Sequence, residues 1–112
     1  MLFLQLQQRR NIMILVIGHV KIAPEKIAAV LPTLRATIAT TRQEAGCILY
    51  AFGEDVGEPG VLRIVERWES WETLAAHGKA PHMKAWGEFL KANAAVLDRE
   101  VIAYEAGATK TL

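Results

Sequence analysis

Leu62, Ile64, Glu66 and Trp68 alternate with Arg63, Arg67 and Glu69, the period of two that predicts a strand with one face inward. At Ser70 the period changes. Serine is a good helix N-cap, Glu72 places a negative charge in the first turn, and Trp71, Leu74 and Ala75 follow at helical spacing. Gly78 ends that short helix, and Pro81 opens another, because a proline loses no hydrogen bond at a first helical position. Met83, Trp86, Phe89 and Leu90 give this second helix an apolar face.

The chain before this stretch has a different texture. Met13 to Val20, MILVIGHV, is apolar at both parities, the mark of a strand covered on both faces. Pro24 begins a helix with Ile27, Val30, Leu31, Leu34 and Ile38 along one stripe, running to about Glu44 and expected to kink at Pro32. Cys47 to Phe52, CILYAF, predicts a second two-sided strand, and the glycines, acids and proline from Gly53 to Gly60 predict a hairpin connection into the strand at Val61. Asp98 to Tyr104 predicts a fourth strand. The predicted division is an N-terminal arm over residues 1–12, one domain over 13–105 and a loose tail over 106–112.

Strand, helix, two strands, helix, strand is the split βαβ order of a ferredoxin-like α+β domain, with two right-handed crossovers placing the helices on one face of a four-stranded antiparallel sheet. That leaves strands one, two and four with apolar residues the helices cannot cover, a larger patch than monomers tolerate. A second copy packed sheet to sheet covers it, so a homodimer through the sheet face is expected.

Composition sharpens this picture without changing it. Just over half of the 112 residues, 52%, are hydrophobic, and a chain of this size buries only roughly 60–70% of its unfolded surface, which again favours a partner copy. A net charge of +1 offers no electrostatic footprint for nucleic acid or an anionic membrane. No run approaches the roughly 18 apolar residues of a membrane span. Cys47 is the single cysteine and reads as a small buried hydrophobe, compatible with a reducing cytoplasm, the expected location. The three histidines and lone cysteine show no ligand spacing, so no metal is expected, and no glycine-rich phosphate loop marks a nucleotide cofactor.

EAGCILYAF, then LRIVERW after the hairpin, then ESWETLAAHGKAPHMKAW, resembles the antibiotic biosynthesis monooxygenase (ABM) domain family over nearly the whole chain. The resemblance implies a dimeric α/β barrel with a pocket between sheet and helices in each subunit. It also implies oxygenation of quinols or aromatic polyketides without metal or flavin, as in some members; related members degrade haem, and many have no established substrate. Trp68, Glu66, His77 and His82 match recurrent family positions. The asparagine, tyrosine and arginine of polyketide-oxidising members have no evident equivalents. Where haem-degrading members carry an axial histidine and a first-strand asparagine, this chain has Trp86 and Gly18-His19.

Oxygenation without a cofactor requires a flat apolar pocket and a base that ionises a phenol. The resemblance therefore points to a monooxygenase acting on a small quinol or phenolic substrate with O2. His77 or His82 is the candidate base, and Glu66 the carboxylate that orients it. Trp68, Trp86, Tyr50 and His19 are the candidate substrate contacts. Each has a bland alternative. His77 suits a helix C-terminus as a cap, His82 and the tryptophans suit a core face, and Glu66 suits a structural pair. A dimeric small-ligand-binding or stress-associated protein without catalysis, or a haem-binding one, is the competing reading.

Overall fold

The computed structural model describes residues 12–112. The arm expected over 1–12 lies, apart from Ile12, outside the described residues. In chain order the elements are β1 (Met13–Ile22), a 3-10 turn (Pro24–Lys26), α1 (Ile27–Thr41), β2 (Cys47–Glu54), β3 (Val61–Trp68), α2 (Trp71–Gly78), α3 (Pro81–Asn93) and β4 (Val96–Ala106). The sheet runs β2-β3-β1-β4 with every neighbour antiparallel, the ferredoxin-like α+β arrangement. Residues 107–112 follow β4 without regular secondary structure.

Four cross-strand rows make the face under the helices. In the direction from β2 to β4 they are Cys47–Trp68–Ile14–Glu105, Tyr50–Glu66–Val16–Ala103, Phe52–Ile64–Gly18–Val101 and Glu54–Leu62–Val20–Arg99. A bulge at Ile48 restores the inward parity of Cys47 at the start of β2. Ile27, Val30 and Leu34 of α1 and Trp86 of α3 pack on Val20, Ile22 and Leu62, while Leu74 of α2 packs on the cluster of Ile14, Val16, Tyr50 and Trp68. Each large side chain so buried contributes roughly 1.5–3 kcal/mol relative to exposure, and both packed clusters lie on this face.

The opposite face presents Ile17, Leu49, Val65, Ile102 and Tyr104 to solvent, with Ile17 54% exposed. Ile17 is flanked by Val65 and Ile102 in register, so the apolar surface is continuous across three strands.

Several boundaries differ from the sequence reading: β1 and β2 run past their expected ends at Val20 and Phe52, and β4 spans Val96–Ala106 against an expected Asp98 to Tyr104. Pro24 opens a 3-10 turn ahead of α1, and α1 stops at Thr41, short of Glu44. Past Thr41 the amides of Gln43 and Glu44 bond three residues back, to Thr40 O and Thr41 O, which tightens the chain into a turn. Gly46 completes it at φ 81°, a conformation that favours glycine. Pro32 stands on the exposed side of α1, and the helix is continuous through it.

Candidate functional site

Tyr50, Glu66 and Trp86 meet at a cavity of about 180 Å3 between the sheet and α3. Phe52 and Ile64 from the sheet and Met83 and Trp86 from α3 supply apolar wall; Tyr50, Glu66 and Arg99 supply the polar groups. Glu66 arrives there because β3 keeps strict alternation, which turns Leu62, Ile64, Glu66 and Trp68 all inward. Gly18, in the row of Phe52, Ile64 and Val101, adds no side chain to the floor.

Glu66 is 6% exposed. The indole Nε1–H of Trp68 donates to its Oε1 at 2.8 Å. Desolvation nevertheless dominates and raises the Glu66 carboxyl above its ordinary value, opposed by the Trp68 hydrogen bond and the nearby His77 and Arg99. Tyr50 is driven the same way. Burial first, and the Glu66 charge second, hold its phenol far above the usual tyrosine range, so its hydroxyl stays protonated and donates to Met83 Sδ at 3.9 Å.

The histidines stand one layer back. His77, in the last turn of α2, stacks at 4.7 Å and 35° on the fully buried Trp68 and meets the Tyr50 ring edge-on at 5.2 Å. Its Nδ1–H donates to Glu44 Oε2 at 2.7 Å. His82, in the first turn of α3, donates from Nε2 to the same oxygen at 3.1 Å, with Thr41 Oγ1 accepting at 3.0 Å. The expected partner of the histidine was Glu66; the carboxylate on both rings is Glu44, because Glu66 is engaged with Trp68. Neither His77 nor His82 lines the cavity. His82 opens instead onto a groove between α1 and α3.

His19 is not with this group. Its neighbour Val20 is inward, so His19 lies on the helix-free face, where Nε2 meets Asp98 Oδ2 at 2.8 Å. That bond, first among the causes, lowers the Asp98 carboxyl. Cys47 packs beside the Trp68 cluster, and burial raises its thiol, as suits an unreactive filler. Glu44 is the residue that sequence reasoning missed as a site group. It lies 33 and 38 residues from the two histidines, in the turn after α1, and the available signal was its place before Gly46.

Comparisons with known proteins follow the same geometry. The family profile described as antibiotic biosynthesis monooxygenase matches residues 13–88. The probable quinol monooxygenase YgiN of Escherichia coli is 33% identical over 89 residues, which cover 70% of this chain and 86% of that one. An uncharacterized protein of Synechocystis is 30% identical over 101 residues, 88% of this chain and 67% of that one. A solved structure from Deinococcus radiodurans, described provisionally as an antibiotic biosynthesis monooxygenase, superposes with a TM-score of 0.81 at 30% identity. It covers 88% of this chain and 97% of its own. Among the described residues no helix is long and apolar enough to cross a membrane.

Proposed function

The chain belongs to the antibiotic biosynthesis monooxygenase family, and on that premise we propose that it is a cofactor-independent monooxygenase for a small quinol, with Glu66 as the base. The observation that carries this reading is a buried, cavity-lining carboxylate with a raised pKa, in a cavity shared with a protonated Tyr50 hydroxyl and the Arg99 cation. A general base works best when its pKa approaches the working pH, and desolvation moves Glu66 in that direction.

The chemistry needs little else. Glu66 takes the phenolic proton, and Arg99 faces the phenolate that results. The electron-rich anion passes one electron to O2, the two radicals join in a carbon–oxygen bond, and loss of water leaves a hydroxyquinone. One oxygen atom of O2 ends in the product and the other in water, with the quinol itself as reductant. Trp86, Phe52 and Met83 hold the flat ring and exclude bulk water. Trp68 and His77 position Glu66 from behind, the indole through its hydrogen bond and the imidazole through its place against the indole.

Size narrows the substrate. Pockets for drug-sized ligands occupy about 300–1,000 Å3, and this cavity, at about 180 Å3, suits one or two fused rings. A porphyrin is far larger, which counts against haem. The subunit works as a homodimer in this reading, the helix-free sheet faces of two copies covering Ile17, Val65 and Ile102.

Oxygen uptake by chelator-treated protein, followed with hydroquinones of one, two and three fused rings, tests the reading. The smaller substrates should be turned over, and Glu66→Gln should lower kcat/KM by about 10²–10⁴-fold. Absence of uptake with every quinol would overturn the activity; equal rates in Glu66→Gln and the parent would overturn the base.

A further inference from the structure

Both histidines point a nitrogen at one and the same oxygen, Oε2 of Glu44. One carboxylate oxygen has lone pairs enough to accept both bonds, and the result is three donor atoms gathered about one point. Convergence on one is the arrangement that a cation at the centre of three donors replaces. We propose that Glu44, His77 and His82 bind a divalent first-row transition metal ion, of the zinc or ferrous class, through one carboxylate oxygen and two imidazole nitrogens.

The distances fit such an ion. The donor atoms lie within 4.8 Å of one another, and two edges of the triangle are 2.7 and 3.1 Å. Bonds of about 2.0–2.2 Å from a common centre place neighbouring donors about 2.8–3.1 Å apart at octahedral angles and about 3.3–3.6 Å apart at tetrahedral ones. The 2.7 Å edge therefore has to open, while the 3.1 Å edge already matches octahedral spacing, and a rotation of His82 in the first turn of α3 adjusts the remaining edge. The donor types are those of zinc and non-haem iron sites, imidazole with a carboxylate.

Charge and access agree. With Glu44 ionised and both imidazoles neutral, the donor set carries one negative charge toward a doubly positive ion. A ligating imidazole nitrogen carries no proton, so each ring would bind with its proton on the other nitrogen. The His82 and Glu44 side chains are 19% and 18% exposed and His77 only 5%. A groove of about 330 Å3 between α1 and α3, lined by Thr37, Thr40 and His82, opens onto His82. The fully buried Thr41 presents its hydroxyl beside them, placed to bond a water on the ion's open position.

This site lies behind the rings of Tyr50 and Trp68 and outside the cavity wall, so the proposal does not rest on the oxygenation reading. The test is a titration of chelator-treated, full-length protein with Co2+, read by the visible d–d bands of the bound ion, followed by competition with Zn2+ and, under anaerobic conditions, Fe2+. Stoichiometric bands displaced by Zn2+, and by Fe2+ only in large excess as the order of divalent affinities requires, are expected. Glu44→Gln, His77→Gln and His82→Ala should each weaken binding at least about tenfold, and His19→Ala should leave it unchanged. Because His77 is buried, the rise in melting temperature on adding Zn2+ is measured for each variant that melts cooperatively. The parent should respond, and the ligand variants should not. Lack of a Co2+ spectrum in the parent, or undiminished binding by the Glu44→Gln/His82→Ala double variant, overturns the site.

Discussion

Glu66 carries opposite pressures: the Trp68 indole stabilises its anion, and loss of water destabilises it more. Its native pKa lies above the ordinary value of about 4.3, so the native state holds this proton more tightly than the unfolded chain does. The stabilisation that follows is present below the ordinary carboxylate range and is lost as pH rises through the native pKa. Activity runs the other way, because the base must be ionised. The kcat/KM profile should rise with pH along a limb displaced above the ordinary glutamate range, and Glu66→Gln should lack that limb. A limb at the ordinary value would show that burial does not tune this group. At this scale the sequence was legible where side-chain parity decides position. Alternation alone turned Glu66 and Trp68 inward. It could not pair Glu44 with His77 and His82, because that contact depends on how tightly α1 ends and where α2 returns, neither of which has a local signature.

The element that sets this return is the start of α2. The Ser70 side chain accepts from the Thr73 amide at 3.1 Å, and Thr73 Oγ1 accepts from the Ser70 amide at 3.2 Å, a complete capping box. Gly46, at positive φ, lies directly against the Thr73 side chain. Ser70→Ala should cost about 1 kcal/mol in chemical denaturation. Gly46→Ala should cost more, about 1–3 kcal/mol from backbone strain, since the added methyl meets a threonine that the cap prevents from moving. If Gly46→Ala proves as stable as the parent, the turn is not the rigid joint described. The order β3, α2, α3 was readable from Ser70, Gly78 and Pro81, because caps and breakers act within a few residues. The 3-10 turn at Pro24 and the early stop of α1 were not, since the stripe Ile27, Val30, Leu34 continues smoothly into Thr37 and Thr41.

For the molecule as a whole, the decisive asymmetry is between a sheet face buried by three helices and one left apolar and open. Ile17 protrudes at the centre of the open face, so Ile17→Asp should leave the fold of one subunit intact while dissociating the proposed dimer. Sedimentation equilibrium reads this directly, with a parent of twice the chain mass and a variant of one. A parent that sediments as a single chain sinks the sheet-to-sheet pairing. The floor of the cavity has a quieter property. Its row takes one position from each of four strands, and at Gly18 a methyl group would collide with the β4 backbone at Glu100 O and, at 2.6 Å, Val101 Cα. Phe52, Ile64 and Val101 thus give this row its bulk, while the fourth position admits glycine alone. The volume under α3 is therefore set by side chains on separate strands, while the seam that joins the first strand to the last tolerates no bulk at all.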